Sequence, residues 1–307
     1  MANASYYMHT SIASNSRSTY EAAARTYSTF CHQTQVSLFP LSEQKLISFV
    51  CSLARRLSYQ SIKTYLSGLR FHAISMGYYP KISEMHQLYY VLRGIRRHQG
   101  LNTRSQRKSP MSISHISVLF RRSSFLLNSF DACMVQAVSS IAFFGMLRVS
   151  EYTSPGVNTY NASVNLTVDD AHIANGVLSL TIKASKTDPF RIGVVIRFAS
   201  IPSPFCPVAL CCSYLRLRGR APGPLFIFSD GSFLTRSRLS VFIQSVFPSS
   251  NLNTHSFRIG GASAAASAGI PDSSIQVLGR WRSDAFLRYL RFSVEDIRHF
   301  MSNMVFH

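Results

Sequence analysis

Residue types suited to anion binding, proton transfer and nucleophilic attack occur in four short segments of the second half of the chain. The first segment is GMLRVSEYT, in which Arg148 follows an apolar run with helical periodicity. A guanidinium at the end of a buried helix needs an anion, because an unpaired charge is costly to bury. Taken alone, the segment is also accounted for by an ion pair with Glu151 or by capping of the helix C-terminus.

The second and third segments add titratable groups. IKASKTDPFRIG is typical of a tight turn between two strands and carries Lys183 and Lys186. A turn lysine is often only a solvated charge, but it can also protonate a leaving oxygen. In HSFRIGGASAAASAG, the i, i+3 spacing puts His255 and Arg258 on one helix face near its N-terminus, where anions are favoured. The Gly/Ala/Ser run that follows predicts close approach of another helix or of a DNA backbone.

The fourth segment, LGRWRSDAFLRYLRF, contains Trp281, the single tryptophan of the chain, and Tyr289, the last tyrosine. An indole N–H donates a hydrogen bond without titrating, so Trp281 can hold a phosphate oxygen but cannot shuttle protons. A tyrosine hydroxyl can act as a nucleophile when neighbouring groups activate it. Packing in the core is the alternative explanation for both aromatic side chains.

In their fixed order these positions resemble the tyrosine recombinase (phage integrase) superfamily. The resemblance is closest to its Cre-like branch and to the recombinases of DIRS-like and Crypton-type eukaryotic transposons. Its motifs are LRVSE at 147–151, SKT at 185–187, HSFRIG, and G-x-W followed by YLR, within residues 110–300. The catalytic residues that the resemblance implies, with Glu151 in support, are Arg148, Lys186, His255, Arg258, Trp281 and Tyr289.

The resemblance also implies a mechanism and partners. Tyr289 attacks the scissile phosphate to give a 3′-phosphotyrosine, and the two arginines, the histidine and the indole stabilise the growing negative charge. His255 is the candidate base, and Lys186 protonates the leaving 5′-oxygen. Neither a metal, ATP nor another cofactor is expected. The expected partners are double-stranded DNA and further copies of the chain, assembled as a synaptic tetramer on DNA.

Two features depart from the superfamily pattern. Trp281 stands where many members have a second histidine, as it does in the Cre-like branch. Trp281 also precedes Tyr289 by eight residues, one fewer than is common. The shorter spacing leaves open the helix phase at which the nucleophile is presented.

Helical periodicity predicts the elements that precede these motifs. One helix is expected to begin near Thr19. Three more are expected: one after Pro40, a second that ends at Gly77, and a third before Gly100. The polar stretch 98–110 has the composition of a linker. The outer helix faces are basic with few acidic residues, which favours phosphate contact. The residues predicted to bind DNA are Lys63, Arg70, Arg93, Arg96, Arg97, Arg104, Arg107 and Lys108.

The second half is predicted to be helical with a small inserted sheet. Helices are expected around 112–128 and 131–147, and again from Pro207 onward. The strands are expected in residues 164–199, in VNLTV, VLSLTI and GVVIRF, with turns between them.

Length and charge agree with two basic domains. The chain has 307 residues and a formal net charge of +19, and 26 of its 32 basic residues are arginines. Arginine matches phosphate oxygens bidentately, so the bias predicts a polyanionic partner. The predicted fold is mainly α with a small antiparallel β-sheet. It comprises a helical core-binding (SAM-like) DNA-binding domain, residues 1–107, and a tyrosine-recombinase catalytic domain, residues 108–307.

Three other functions remain open at this point. A catalytically silent, transposon-derived DNA-binding protein would keep the fold, and a type IB topoisomerase-like enzyme would relax supercoils as a monomer. A basic protein that binds RNA or a membrane surface would leave the ordered motifs unexplained. The six cysteines lack zinc-ligand spacing, and neither a signal peptide nor a membrane span is evident. We expect no membrane association, no secretion, and a nuclear location if the chain is eukaryotic, otherwise a cytoplasmic one.

Overall fold

The computed structural model describes residues 4–102, 108–186, 188, 190–291, 294, 297–298 and 301–302. The chain divides into two compact units, residues 1–106 and 107–307. The predicted mainly α fold with a small antiparallel sheet is confirmed. In the described ranges, every helix is too short or too polar to cross a membrane.

The first unit is a helical bundle around one apolar core. Its helices are α1 Ala4–Thr10, α2 Ser14–Thr34, α3 Glu43–Ala54, α4 Tyr59–Ser75 and α5 His86–Asn102. Apolar residues at helical spacing on α3 and α4 pack with α2 and α5, because each helix has one face to bury. The hydroxyls of Ser42 and Ser58 accept the N–H groups of Lys45 and Ser61, which fixes where α3 and α4 begin.

Two predicted boundaries in this unit are wrong. The helix expected near Thr19 begins at Ser14. The linker predicted from residue 98 begins later, because α5 continues to Asn102. The Gln99 side chain explains the extension, since its Nε2 donates to the carbonyls of Ala54 and Leu57 at 3.1 and 2.9 Å.

The second unit packs helices around a three-stranded sheet. Its helices are α6 Ile113–Leu126, α7 Ser129–Phe144, α8 Val149–Tyr152, α9 Pro207–Arg218, α10 Arg236–Val246, α11 Ser256–Ser267 and α12 Asp272–Leu278. Its strands are β1 Ala171–Ala174, β2 Val177–Ile182 and β3 Val194–Ala199, in the order β1-β2-β3 and antiparallel throughout. Ile182 pairs with Val194, so the β2–β3 turn that carries Lys186 projects from one end of the sheet.

The strand predicted in VNLTV is wrong, because this segment folds as a turn and a short 3-10 helix before β1. Asn165 accepts the N–H of Asn161 through its side chain, at 2.8 Å. The Asp170 carboxylate accepts both the N–H and the hydroxyl of Thr167, each at 2.7 Å. Such local side-chain bonds compete with strand pairing.

The small residues of α11 permit very close packing. A Cβ added at Gly261 would lie 2.2 Å from the carbonyl oxygen of Phe143, at the end of α7. A Cβ at Gly260 would lie 1.9 Å from the carbonyl oxygen of Met111. The predicted close approach of another helix to this run is therefore confirmed. It places the start of α11 beside the chain that leaves α7.

Candidate active site

Arg148 lies at the N-terminus of α8 and is paired with a buried carboxylate. Its Nη1 donates to Glu151 Oε1 at 3.0 Å and to Ser185 Oγ at 3.1 Å. Its backbone N–H donates to Glu151 Oε2 at 2.9 Å. The Glu151 side chain is 0% exposed and that of Arg148 is 15% exposed. The ion pair with Glu151, one of the explanations of this segment that the sequence allowed, is therefore present. It orients the Arg148 side chain towards the β2–β3 turn, where Ser185 lies.

Arg258, in the first turn of α11, is completely buried. Its Nη1 donates to the carbonyl of Met146, and its Nη2 donates to the carbonyl of Gly279 at 2.7 Å. Its Nε is buried without a hydrogen-bond partner in the described part of the chain, and so is Nε1 of Trp281. Buried donors are normally satisfied, so these orphans indicate a missing acceptor.

Tyr289 follows a 3-10 helix, Asp284–Arg288, and its backbone is held against α11. Ser263 Oγ donates to the Tyr289 carbonyl at 3.2 Å and accepts the N–H of Arg291 at 2.9 Å. The ring centre of Tyr289 lies 5.2 Å from that of Trp281. Tyr289 therefore caps a 3-10 helix and is on no α-helix, and the tether places its ring beside Trp281 and Arg258. These three side chains, with Arg148 and His255, are called the pocket below.

His255 completes the aromatic side of the pocket. It precedes α11, and its ring centre is 5.3 Å from that of Tyr289, in an edge-on arrangement. Burial, followed by the charges of Arg258, Arg236, Arg148 and Lys186, lowers the pKa of His255 below its usual 6.5. At neutral pH the imidazole is therefore uncharged and able to accept a proton.

The two turn lysines have different environments. Lys183 forms an ion pair with Asp170 at 2.6 Å and donates to the Ala162 carbonyl at 2.7 Å, so it supports the fold. Lys186 is exposed in the β2–β3 turn, and its positive charge contributes to the lowered pKa of His255. Of the two, Lys186 is the lysine within electrostatic reach of the pocket.

Two further arginines belong to this region and were missed in the sequence. Arg280 Nη2 lies 3.0 Å from Glu151 Oε2, and its side chain is 14% exposed. The sequence feature that could have identified Arg280 is its position next to Trp281 in the fourth motif. Arg236, exposed at the start of α10, lowers the pKa of His255 by its charge. Nothing in its local sequence separates Arg236 from other surface arginines.

The pocket therefore has a strong excess of positive charge. In the described residues, the buried carboxylate of Glu151 faces three arginines: it forms ion pairs with Arg148 and Arg280, and its charge also acts on Arg258. Burial, then the charges of Arg148 and Arg280, lowers the pKa of Arg258. A guanidinium stays protonated in proteins, so this shift reflects unbalanced charge that a bound anion would offset.

Six of the predicted DNA-binding residues are described by the structure, five on helix surfaces and Lys108 in the segment before α6. Exposed side chains on α4 and α5 are Lys63, Arg70, Arg93, Arg96 and Arg97. Lys63 and Arg96 flank the Tyr59 ring, with Nζ and Cζ at 5.9 and 5.6 Å from its centre. Lys108 is exposed and donates to Asn251 Oδ1 at 3.1 Å. Arg104 and Arg107 lie outside the described residues.

In the described ranges, no group of three or more His, Cys, Asp or Glu side chains is placed to hold a metal ion.

Neither protein-family models nor curated proteins gave a match to the chain. Solved structures did match. A pre-cleavage complex of the XerH site-specific recombinase bound to difH substrate aligns with a TM-score of 0.60 at 15% identity, covering 93% of this chain and 78% of that one. A lambda integrase dimer bound to a COC′ core site aligns with a TM-score of 0.58 at 14% identity, covering 91% and 72%.

A third similar structure is the Tn1549 transposon integrase in complex with circular intermediate DNA. It aligns with a TM-score of 0.53 at 14% identity, covering 91% of this chain and 98% of the integrase. At such identities the likeness concerns the fold. The chain has the fold of the tyrosine recombinases.

Proposed function

We propose that the chain is a site-specific DNA recombinase that cuts and rejoins DNA through a covalent bond to Tyr289. The observation that carries the proposal is the position of the Tyr289 ring, whose centre lies 5.6 Å from the guanidinium carbon of Arg258. A tyrosine against a fully buried, only partly satisfied arginine is costly as packing alone. It is suited to attack on an anion that the arginine holds.

The reaction is a transesterification at a phosphodiester. The Tyr289 oxygen bonds to phosphorus, its proton passes to the neutral His255, and the bond from phosphorus to the 5′-oxygen breaks. Lys186 gives a proton to that oxygen. Religation is the reverse, so the ester energy is retained and ATP is not needed. Arg148, Arg258 and the Trp281 N–H donate to the phosphoryl oxygens, where donors aimed at developing charge contribute most to the rate.

A trapping experiment tests the proposal. A suicide DNA substrate, nicked near the cleavage point, should leave a covalent protein–DNA adduct. Its attachment is assigned to Tyr289 by mass spectrometry. Tyr289→Phe should abolish the adduct while leaving DNA affinity unchanged, because only the nucleophilic hydroxyl is lost. Tyr160→Phe, at an exposed position away from the pocket, is the matched control and should form adduct normally.

The same experiment separates the alternative functions. A catalytically silent, transposon-derived DNA-binding protein would bind the substrate but give no adduct with the unaltered chain. A type IB topoisomerase-like enzyme would give the adduct and relax supercoiled DNA, but would not exchange strands between two sites. Adduct that persists in Tyr289→Phe would show that the nucleophile is another residue.

The assembly and setting are further parts of the proposal. Val294, Ile297 and Met301 are exposed at helical spacing, which supports docking of this segment on another copy in a synaptic tetramer. Light scattering on DNA-bound protein measures the copy number. A mobile-element origin and action in the nucleus rest on the sequence resemblance to transposon recombinases. Imaging of a tagged chain in eukaryotic cells tests the location.

A further inference from the structure

The two terminal nitrogens of the Arg280 guanidinium donate hydrogen bonds to groups of the protein itself. Its Nη1 donates to the carbonyls of Gly145 and Leu278, both at 3.0 Å. Its Nη2 donates to the Met146 carbonyl at 3.3 Å and to Glu151 Oε2 at 3.0 Å. The terminal nitrogens of a guanidinium carry four N–H groups, so these acceptors occupy all of them.

The other two arginines of the pocket are used differently. Arg258 donates one N–H to Met146 and one to Gly279, and Arg148 donates to Glu151 and Ser185 through Nη1 alone. In these contacts each of the two keeps three of its five N–H groups for another acceptor. The arginines thus differ in their terminal nitrogens: those of Arg148 and Arg258 keep N–H groups for another acceptor, whereas those of Arg280 keep none, and only its buried Nε has no partner in the described residues.

The acceptors of Arg280 are the groups that place the other arginines. Glu151 Oε2, which Arg280 binds, also accepts the backbone N–H of Arg148, while Glu151 Oε1 accepts the Arg148 side chain. The Met146 carbonyl accepts from both Arg280 and Arg258. Arg280 therefore connects the residues between α12 and Trp281 to the segment between α7 and α8.

We propose that Arg280 is a positioning residue that aligns Arg148 and Arg258 on the scissile phosphate through Glu151 and Met146. The inference rests on the proposed function. Lysine cannot replace it, because one ammonium has three donors on a single atom and cannot bind four separate acceptors. Misplacing a catalytic group by about 1 Å costs about 10²-fold in rate.

The test measures adduct formation in a single turnover on saturating suicide DNA. Arg280→Lys should slow it about 10²-fold with little change in DNA affinity, because the terminal nitrogens of Arg280 bind groups of the protein itself. Arg282→Lys, at the exposed arginine two positions on, is the matched control and should react at the unaltered rate. A rate for Arg280→Lys equal to that of the unaltered chain, at a temperature where both are folded, overturns the proposal.

Two more variants distinguish positioning from simple stabilisation of the fold. Because Arg280 acts through Glu151, Glu151→Gln and Arg280→Lys together should be scarcely slower than the worse single variant. Losses that multiply would overturn the connection. If Arg280→Lys does not fold, millimolar guanidinium added to Arg280→Ala should restore adduct formation, and ammonium should not. Equal rescue by both cations, or by neither, counts against the proposal.

Failure of the proposed function gives a different result. In that case the unaltered chain forms no adduct, and the role of Arg280 is decided by titration with inorganic phosphate. Trp281 is the only tryptophan, so its fluorescence reports on the pocket directly. Arg280→Lys should weaken phosphate binding about tenfold, the loss of roughly one well-placed charged hydrogen bond. Unchanged phosphate affinity would overturn the positioning role.

Discussion

The guanidinium carbon of Arg258 lies 4.0 Å from the centre of the Trp281 ring. The cation faces the π-system, which offsets part of the cost of burying an arginine. The same indole leaves its N–H buried and without an acceptor in the described residues. The indole thus contacts Arg258 through its face, while the N–H on its edge stays available to an acceptor.

Trp281→Phe separates these two contributions. Phenylalanine keeps an aromatic face for Arg258 but has no N–H, so adduct formation should fall about 10²–10³-fold, as for loss of one donor to the transition state. Trp281→His restores a donor and should recover part of the rate. Single-turnover kinetics at saturating DNA measures all three proteins. Equal rates for the phenylalanine and histidine variants would limit Trp281 to packing.

Ser263→Ala tests the tether that holds Tyr289. The hydroxyl donates to the Tyr289 carbonyl and accepts the Arg291 N–H, so both backbone groups lose this hydrogen-bond partner when it is removed. We expect the free energy of unfolding to fall by about 1 kcal/mol and adduct formation to slow more than DNA binding. Ser75→Ala is the control, since the Ser75 hydroxyl donates to the carbonyl of His72 on its own helix. A normal adduct rate in Ser263→Ala would show that other contacts suffice to place Tyr289.

The sequence predicted the fold class because its signals are local. Apolar periodicity identified the helices, and the Gly/Ala/Ser run after Arg258 predicted a close helix contact that Gly261 makes with Phe143. The predicted grouping of Arg148, Arg258 and Tyr289 came from motif order and not from periodicity. Their catalytic roles stay predictions until an adduct is mapped.

What the sequence did not predict depends on contacts between distant segments. Arg280 and Glu151 lie far apart in the chain, and only the fold brings their side chains to 3.0 Å. Arg236 and His255 are likewise separated in the chain, and the charge of Arg236 contributes to the lowered pKa of His255. The VNLTV segment has strand propensity, but Asp170 accepts the N–H of Thr167 within it, and its own Asn165 accepts the N–H of Asn161, so local hydrogen bonds outweigh the pattern.

His255 should titrate at an unusually low pH. Its folded-state pKa lies below 6.5, so the neutral form persists below that pH and is lost only on further acidification. Arg236→Gln removes one of the charges responsible and should raise the midpoint, as should added salt, because both weaken repulsion of the proton. NMR titration of the imidazole protons in the free protein gives the midpoint directly. A midpoint at or above 6.5 would contradict the positive pocket.

Gly260→Ala should be strongly destabilising. The added methyl would lie 1.9 Å from the Met111 carbonyl oxygen, so α11 and the chain before α6 would have to separate. Overpacking of this kind costs about 1–3 kcal/mol or more. Gly94→Ala in α5 is the opposite case, since nothing lies within 4 Å of the added methyl. It should stabilise its unit by about 0.5–1 kcal/mol. Denaturant unfolding followed separately for each unit measures both changes.

Lys186→Ala should slow cleavage, and a leaving group that needs no proton should restore the rate. If Lys186 protonates the 5′-oxygen, a DNA substrate with sulfur at that bridging position needs no proton, because a thiolate leaves readily. Lys186→Ala should therefore react slowly with ordinary DNA and at nearly the unaltered rate with the sulfur substrate. Quantified adduct formation on both substrates gives the ratio.

Lys183→Ala provides the contrast that assigns the proton donor. Lys183 is bound to Asp170 at 2.6 Å, so its loss should lower stability without producing a preference for the sulfur substrate. The two lysines belong to the same turn and carry the same charge, but their ammonium groups have different surroundings. A sulfur effect in Lys183→Ala and not in Lys186→Ala would reverse the assignment. A sulfur effect in neither would mean that the proton comes from another group, with His255 as a further candidate.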